Sequence, residues 1–179
     1  MKIKNTTKII MMLMLTILAI TALSLNAEAK SLYVIANIND SPTPIMAYDI
    51  LPNGTMQYQT THDVPYHPWG AVGIAVDSDA EMLFVTYEDN NVIELINATN
   101  MTSMGITTAA SADNLAGIVV DHDLNKVYTI DRNTNDLYVY DWSPANTTLY
   151  NENMIELPAV VQAHGIALDE INDLLYVGD

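Results

Sequence analysis

The amino-acid sequence predicts an all-β protein made of repeated four-stranded antiparallel sheets, and three observations carry that expectation. One stretch recurs three times, as Gly73-Ile-Ala-Val-Asp77, Gly117-Ile-Val-Val-Asp121 and Gly165-Ile-Ala-Leu-Asp169. Each copy leads through an Asp-rich turn into a second run of β-branched and aromatic residues. The aromatic of that second run falls at Tyr33, Phe84, Tyr128 and Tyr176, giving spacings of 51, 44 and 48 residues. Nothing after residue 30 shows the 3.6-residue apolar period of a helix. A period in the forties with four short strands per unit is that of a β-propeller blade.

The first 29 residues read as an export signal. Lys2, Lys4 and Lys8 make a basic start, Ile9 to Leu25 is an apolar run, and Ala27-Glu28-Ala29 supplies a small-x-small cleavage pattern before Lys30. An uncleaved anchor is the alternative, because the apolar run sits at the lower limit for spanning a bilayer. Both readings place the remainder outside the cytoplasm, secreted or at the cell surface.

The propeller region is residues 30–179, with blades at about 31–65, 70–110, 115–160 and 164–179. With strands labelled a to d from the inside outward, the first blade begins at strand b, Leu32–Ala36, and continues with c at Ile45–Ile50 and d at Met56–Thr61. The second has a at Val72–Val76, b at Met82–Tyr87, c at Val92–Ile96 and a poorly patterned d near Ser103–Thr108. The third is the clearest. Gly117–Val120 is its strand a, an unbroken apolar run expected to be buried on both faces, and Lys126–Ile130 is b. Its strand c, Asp136–Trp142, alternates Leu137, Val139 and Asp141 with Tyr138, Tyr140 and Trp142, and d follows at Thr148–Leu157. The fourth blade has strands a and b. The ring is thus expected to hold about three and a half blades, whereas closed propellers have four to eight. The chain is accordingly read as a fragment or truncated reading frame of a longer propeller.

The exported part has three basic residues, Lys30, Lys126 and Arg132, against 21 acids, a net charge of −18. Such a surface repels nucleic acid and anionic membranes. A membrane partner is expected only through an uncleaved leader or a missing C-terminal anchor. There is no cysteine, so disulfides contribute nothing and stability rests on the sheets. Four Asn-x-Thr triplets, at Asn53, Asn97, Asn100 and Asn146, fall in turns or at strand ends and are candidate glycan acceptors.

The units at 73–95 and 117–141 resemble the YVTN and NHL families of propeller repeats. The resemblance rests on the Gly-Ile-Ala-Val-Asp strand, on Asn125-Lys126-Val127-Tyr128, on Thr134-Asn135 and on Val139-Tyr140-Asp141. It is strongest over residues 70–141 and looks most like the secreted surface propellers of methanogenic archaea and bacteria. What it implies is a fold, because the repeated residues are those that build a blade. Trp142 and the Glu94-Leu95-Ile96 ending of the second unit depart from the pattern.

The Asp-rich a–b turns at Asp77–Asp79, Asp121–Asn125 and Asp169–Asn172 have two readings. Asp and Asn cap tight turns through their own backbone, which accounts for all three copies together. A calcium ion is the alternative, although the glycine and distal Glu of a full calcium loop are absent. No other cofactor or metal is expected. A four-stranded meander puts the d–a and b–c loops on one face, which collects His67, Trp69, Asn114 and His164 as candidate ligand-binding residues. No catalytic residue stands out. The expected function is a non-catalytic binding module that recognises a protein or glycan of the cell envelope. A propeller enzyme of the lactonase or lyase type is the second reading, and a fragment without independent activity the third.

Overall fold

Short runs rich in Val, Ile, Tyr and Thr, each ended by Asp, Asn or Thr in a tight turn, fold as antiparallel strands. The computed structural model describes residues 30–36, 44–63, 70–88, 91–157 and 162–178, and the leader, His67 and Trp69 lie outside that set. Strands β1 (Lys30–Ile35), β2 (Ile45–Ile50) and β3 (Met56–His62) form a three-stranded sheet. Strands β4 (Ala71–Asp77), β5 (Met82–Tyr87), β6 (Val92–Asn97) and β7 (Thr102–Thr108) form a four-stranded sheet in sequence order. So do β8 (Leu115–Asp121), β9 (Lys126–Asp131), β10 (Asp136–Ser143) and β11 (Thr148–Glu156). Strands β12 (Gly165–Asp169) and β13 (Leu174–Gly178) pair as a two-stranded sheet. The chain is therefore an all-β partial propeller of antiparallel blades.

The turns explain the sequence of the repeats. Each a–b turn ends on a left-handed residue, at Glu81 (φ 51°), Asn125 (51°) and Asp173 (53°). The b–c turns do the same at Asn91 and Asn135, and two c–d turns at Met101 and Thr147. A type I turn closed by such a residue matches the twist of a hairpin, and Asn and Asp tolerate that conformation best. The repeated Asp locks the other end. Asp77 Oδ1 accepts from the backbone N–H of Asp79 and Ala80, Asp121 Oδ1 from Leu124, and Asp169 Oδ1 from Ile171 and Asn172. The turn-capping bonds are thus present in all three copies.

Two compact units divide the described residues, one holding 30–32 with Tyr48–Tyr58 and the other Tyr33–Ala47 with Gln59–Asp179. In the smaller unit, the Asn53-Gly54 hairpin turn places Gly54 at φ 81°, and the Tyr48 and Tyr58 rings meet edge to face with centroids 5.9 Å apart. The larger unit holds two main cores. In one, Phe84, Leu95 and Ile93 of the second blade pack with Leu115, Tyr138, Tyr140 and Trp142 of the third. In the other, Ile45 and Ala47 join Leu83, Val85, Tyr87 and Ile96.

Burial corrects the expectation for the inner strands. All six residues of β5 are buried, whereas β4 leaves Val72 and Val76 39% and 47% exposed. The apolar run of strand a is therefore not buried on both faces. In the second and third blades the middle strands b and c are the buried ones, and strand a turns one face to a groove. The weakly patterned β7 is a complete strand, and its mostly exposed side chains show why it lacked a pattern. As an outermost strand it has no second blade face to bury.

The repeated glycine belongs to the approach of one blade to the next. A Cβ at Gly73 would stand 2.4 Å from the Ala116 carbonyl oxygen and 2.6 Å from Thr86 Oγ1. A Cβ at Gly117 would meet the His164 carbonyl oxygen and the Ile166 side chain, both at 3.1 Å. The Thr86 hydroxyl donates to the Ala116 carbonyl (2.5 Å), and the Gly117 N–H donates to the His164 carbonyl (3.2 Å). Glycine is thus what lets neighbouring inner strands come within bonding range.

Candidate functional site

At the loop end where β5 leads to β6 and β7 leads to β8, Asp131 organises the backbone. Its side chain is fully buried. Oδ2 accepts from the N–H of Asp113 (2.5 Å) and Asn114 (2.9 Å), and Oδ1 from Asn133 (2.8 Å) and Thr134 (3.0 Å). Burial pushes this carboxyl up, but the four backbone donors outweigh it and hold it below the ordinary carboxylate range. Against this frame Asn114 Nδ2 donates to Glu88 Oε1 (3.2 Å), and the Arg132 guanidinium pairs with the same Glu88 oxygen. Asn133 Nδ2 donates to Asp113 (2.8 Å). Asn114 therefore sits in a bonded polar cluster with Glu88 and Arg132, and its own Oδ1 is buried with no hydrogen-bond partner among the described residues.

His164 is placed differently. Its backbone is tied on both sides, N–H to the Gly178 carbonyl (3.0 Å) and carbonyl to the Gly117 N–H, while its side chain is exposed. Among the described residues no hydrogen bond joins the His164 and Asn114 side chains. The structure thus places Asn114 in a polar cluster and leaves His164 at an exposed strand entry.

The opposite end of the inner strands holds a feature that the sequence reading passed over. Strands β4, β8 and β12 line a groove of about 460 Å3. Its wall is aliphatic, from Ile74, Ala75, Val76, Ile118, Val119, Val120 and Leu168. Its rim is polar, from Asp77, Ser78, His122 and Glu170. His122 Nδ1 lies 2.9 Å from Glu170 Oε1, and Nε2 lies 3.2 Å from Asp123 Oδ1. Both ring nitrogens thus face carboxylates, which favours the imidazolium and raises the His122 pKa, the Glu170 bond being the main cause. The signal for this rim was in the repeats. Ser78, His122 and Glu170 each follow the repeated Asp by one position, so the alignment that identified scaffold also marks the place where the copies differ.

A second site invisible in the sequence joins β3 to β6. Glu94 is completely buried. His62 Nε2 lies 3.3 Å from its Oε1, and the Tyr87 hydroxyl donates to its Oε2 (2.6 Å). His62 Nδ1 lies 2.9 Å from the Met101 carbonyl, and the 3.3 Å contact of Nε2 with Glu94 is an ion pair rather than an aligned hydrogen bond. The Glu94 contact chiefly raises the His62 pKa. Burial pushes Glu94 up, but His62, Ser103 and Tyr87 outweigh it and leave the carboxyl low. With Glu94 fully buried, this is a structural pair.

No family model matches the chain, and no curated protein does. Solved structures do. A protein of Lactobacillus plantarum is similar over 84% of this chain and 46% of its own, at 15% identity and a TM-score of 0.66. A putative 6-phosphogluconolactonase of Bacteroides uniformis is similar over 85% and 48%, at 10% identity and a TM-score of 0.64. The periplasmic gluconolactonase of Pseudomonas aeruginosa is similar over 73% and 38%, at 16% identity and a TM-score of 0.59. At these identities the likeness establishes the propeller fold, and the chain spans less than half the length of each of these three structures.

Proposed function

We propose that this chain is a secreted or cell-surface propeller of the YVTN or NHL type that binds a protein or glycan of the cell envelope. The observation that carries this reading is the groove on β4, β8 and β12. Its framework positions repeat as Gly and Asp, while the rim positions equivalent to one another hold Ser78, His122 and Glu170. An aliphatic wall with a few polar groups at its edge suits a ligand that presents apolar and hydroxyl or cationic groups together. The leader-like residues 1–29 and the acidity of the remainder support the extracytoplasmic location. We further propose that the chain is part of a longer propeller, which agrees with the 46%, 48% and 38% of the three solved structures that it spans.

The test combines place and binding. Surface biotinylation of intact cells is expected to label the protein, and the purified full chain is expected to bind an envelope glycan or protein fraction. Substituting both His122→Ala and Glu170→Gln is expected to weaken that binding by roughly tenfold, about 1.4 kcal/mol. Absence of labelling, or binding unchanged in the double variant, overturns the proposal. A lactonase is the second reading, favoured by the two similar structures named as gluconolactonases. Metal-dependent lactone hydrolysis abolished by His164→Ala would establish it in place of the binding module.

A further inference from the structure

The four Asn-x-Thr triplets after residue 29 occupy the same place in the repeat, at the connection between the third and fourth strands of a blade. Asn53 lies between β2 and β3, Asn97 is the last residue of β6 with Asn100 between β6 and β7, and Asn146 lies between β10 and β11. Their side chains are not equivalent. At Asn53 the Thr55 hydroxyl donates to Oδ1 (2.7 Å), as does the Thr55 N–H (3.0 Å). At Asn100 the Thr102 hydroxyl donates to Oδ1 (2.6 Å), again with its N–H (3.1 Å). Both asparagines are exposed. Asn97 is half-buried, and its triplet's Thr99 hydroxyl donates instead to Glu81 Oε2 (2.9 Å). At Asn146 the amide nitrogen is itself spent, donating to Ser143 Oγ (3.1 Å), and the Thr148 hydroxyl turns to the Leu149 carbonyl (3.3 Å).

From this difference we infer that Asn53 and Asn100 are N-glycan acceptors in the folded protein, and that Asn97 and Asn146 are not. The reaction needs a lipid-pyrophosphate-linked oligosaccharide as co-reactant. Asn Nδ2 bonds to the anomeric carbon of the sugar, and that carbon's bond to the phosphate oxygen breaks. Lipid pyrophosphate leaves with the electron pair, and Nδ2 gives one proton to the transferase's base. A hydroxyl donating to Oδ1 stabilises charge that moves onto that oxygen as the nitrogen loses its proton. Asn53 and Asn100 offer that arrangement with an exposed amide. Asn146 must first break a bond at the reacting nitrogen, and Asn97 must recover both exposure and its hydroxyl.

Modification in cells rests on the extracytoplasmic reading above, so the decisive experiment is made in vitro. The folded full chain is incubated with a single-subunit oligosaccharyltransferase and lipid-linked oligosaccharide, and glycopeptides are quantified by mass spectrometry. Asn53 and Asn100 are expected to react about tenfold faster than Asn97 and Asn146, the rate effect of one intact hydrogen bond that must be broken first. Ser143→Ala, which frees the Asn146 amide, is expected to raise modification at Asn146. Equal rates at all four asparagines, faster reaction at Asn97 or Asn146, or no response to Ser143→Ala overturns the inference. An unlabelled protein in the surface biotinylation above, with the in vitro pattern intact, overturns the location and leaves the acceptor geometry standing.

Discussion

His62 and Glu94 show how a single pair of side chains makes stability depend on pH. Glu94 has no exposed surface, and His62 bonds the Met101 carbonyl through Nδ1 and ion-pairs with Glu94 through Nε2. The folded His62 pKa lies above its unfolded value, so its contribution is complete below about pH 6.5 and is lost as pH rises through the folded pKa. The folded Glu94 pKa lies below its unfolded value, so its contribution is present above about pH 4.3 and is lost as pH falls through the folded pKa. The pair therefore stabilises most between these limits, on the mildly acidic side. Chemical denaturation of His62→Gln against the parent is expected to show a loss of about 3 kcal/mol near pH 5.5, shrinking as pH rises past the His62 titration. A difference independent of pH between 5 and 9 contradicts the assignment. Nothing in the sequence announced this pair, because strand residues that meet across blades carry no fixed spacing. Asn114 was legible through the meander rule, which groups loops by face. The bonds it makes to Glu88, and the burial of its Oδ1, depend on side-chain placement that the rule does not reach.

The elements themselves were legible wherever a turn residue marks a strand end. The starts of β5, β6, β9 and β10 follow directly from left-handed Glu81, Asn91, Asn125 and Asn135. Patterning failed for β7, whose exposed side chains have no burial to alternate against. It misled for the inner strands, where a continuous apolar run marks a groove wall on one side. The repeated glycine is the element-scale device, and its three copies differ in what surrounds them. Gly73→Ala brings a methyl against backbone oxygen and is expected to cost about 2 kcal/mol or more, seen as a lower Tm. A Cβ at Gly165 meets nothing within 4 Å among the described residues. Gly165→Ala is therefore expected to leave Tm within the small range of surface substitutions, and a large loss there contradicts the packing argument.

At the scale of the whole molecule, each blade is a meander whose strands pair with their neighbours in sequence, so most backbone bonding is local. A few side chains tie blade to blade. Trp142 is the largest of these. Its ring meets Phe84 edge to face with centroids 4.9 Å apart, and its Nε1–H donates to the buried Asp77 Oδ2 (3.0 Å) across 65 residues of sequence. Asp77 thus caps its own turn with one oxygen and receives the next blade with the other. Local pairings form early because they close short loops, whereas contacts distant in sequence must wait for chain entropy to be overcome. The Trp142–Asp77 bond is accordingly a late event in folding, made after the two blades exist. Stopped-flow measurements on Trp142→Phe, with Tyr fluorescence as the probe, are expected to show faster unfolding at nearly unchanged folding rate. A variant that slows folding by as much as it loses stability would place this bond in the nucleus instead. The turn-capping aspartate is in this sense also a timing device: one oxygen serves the fast step that shapes a blade, and the other the slow step that docks it.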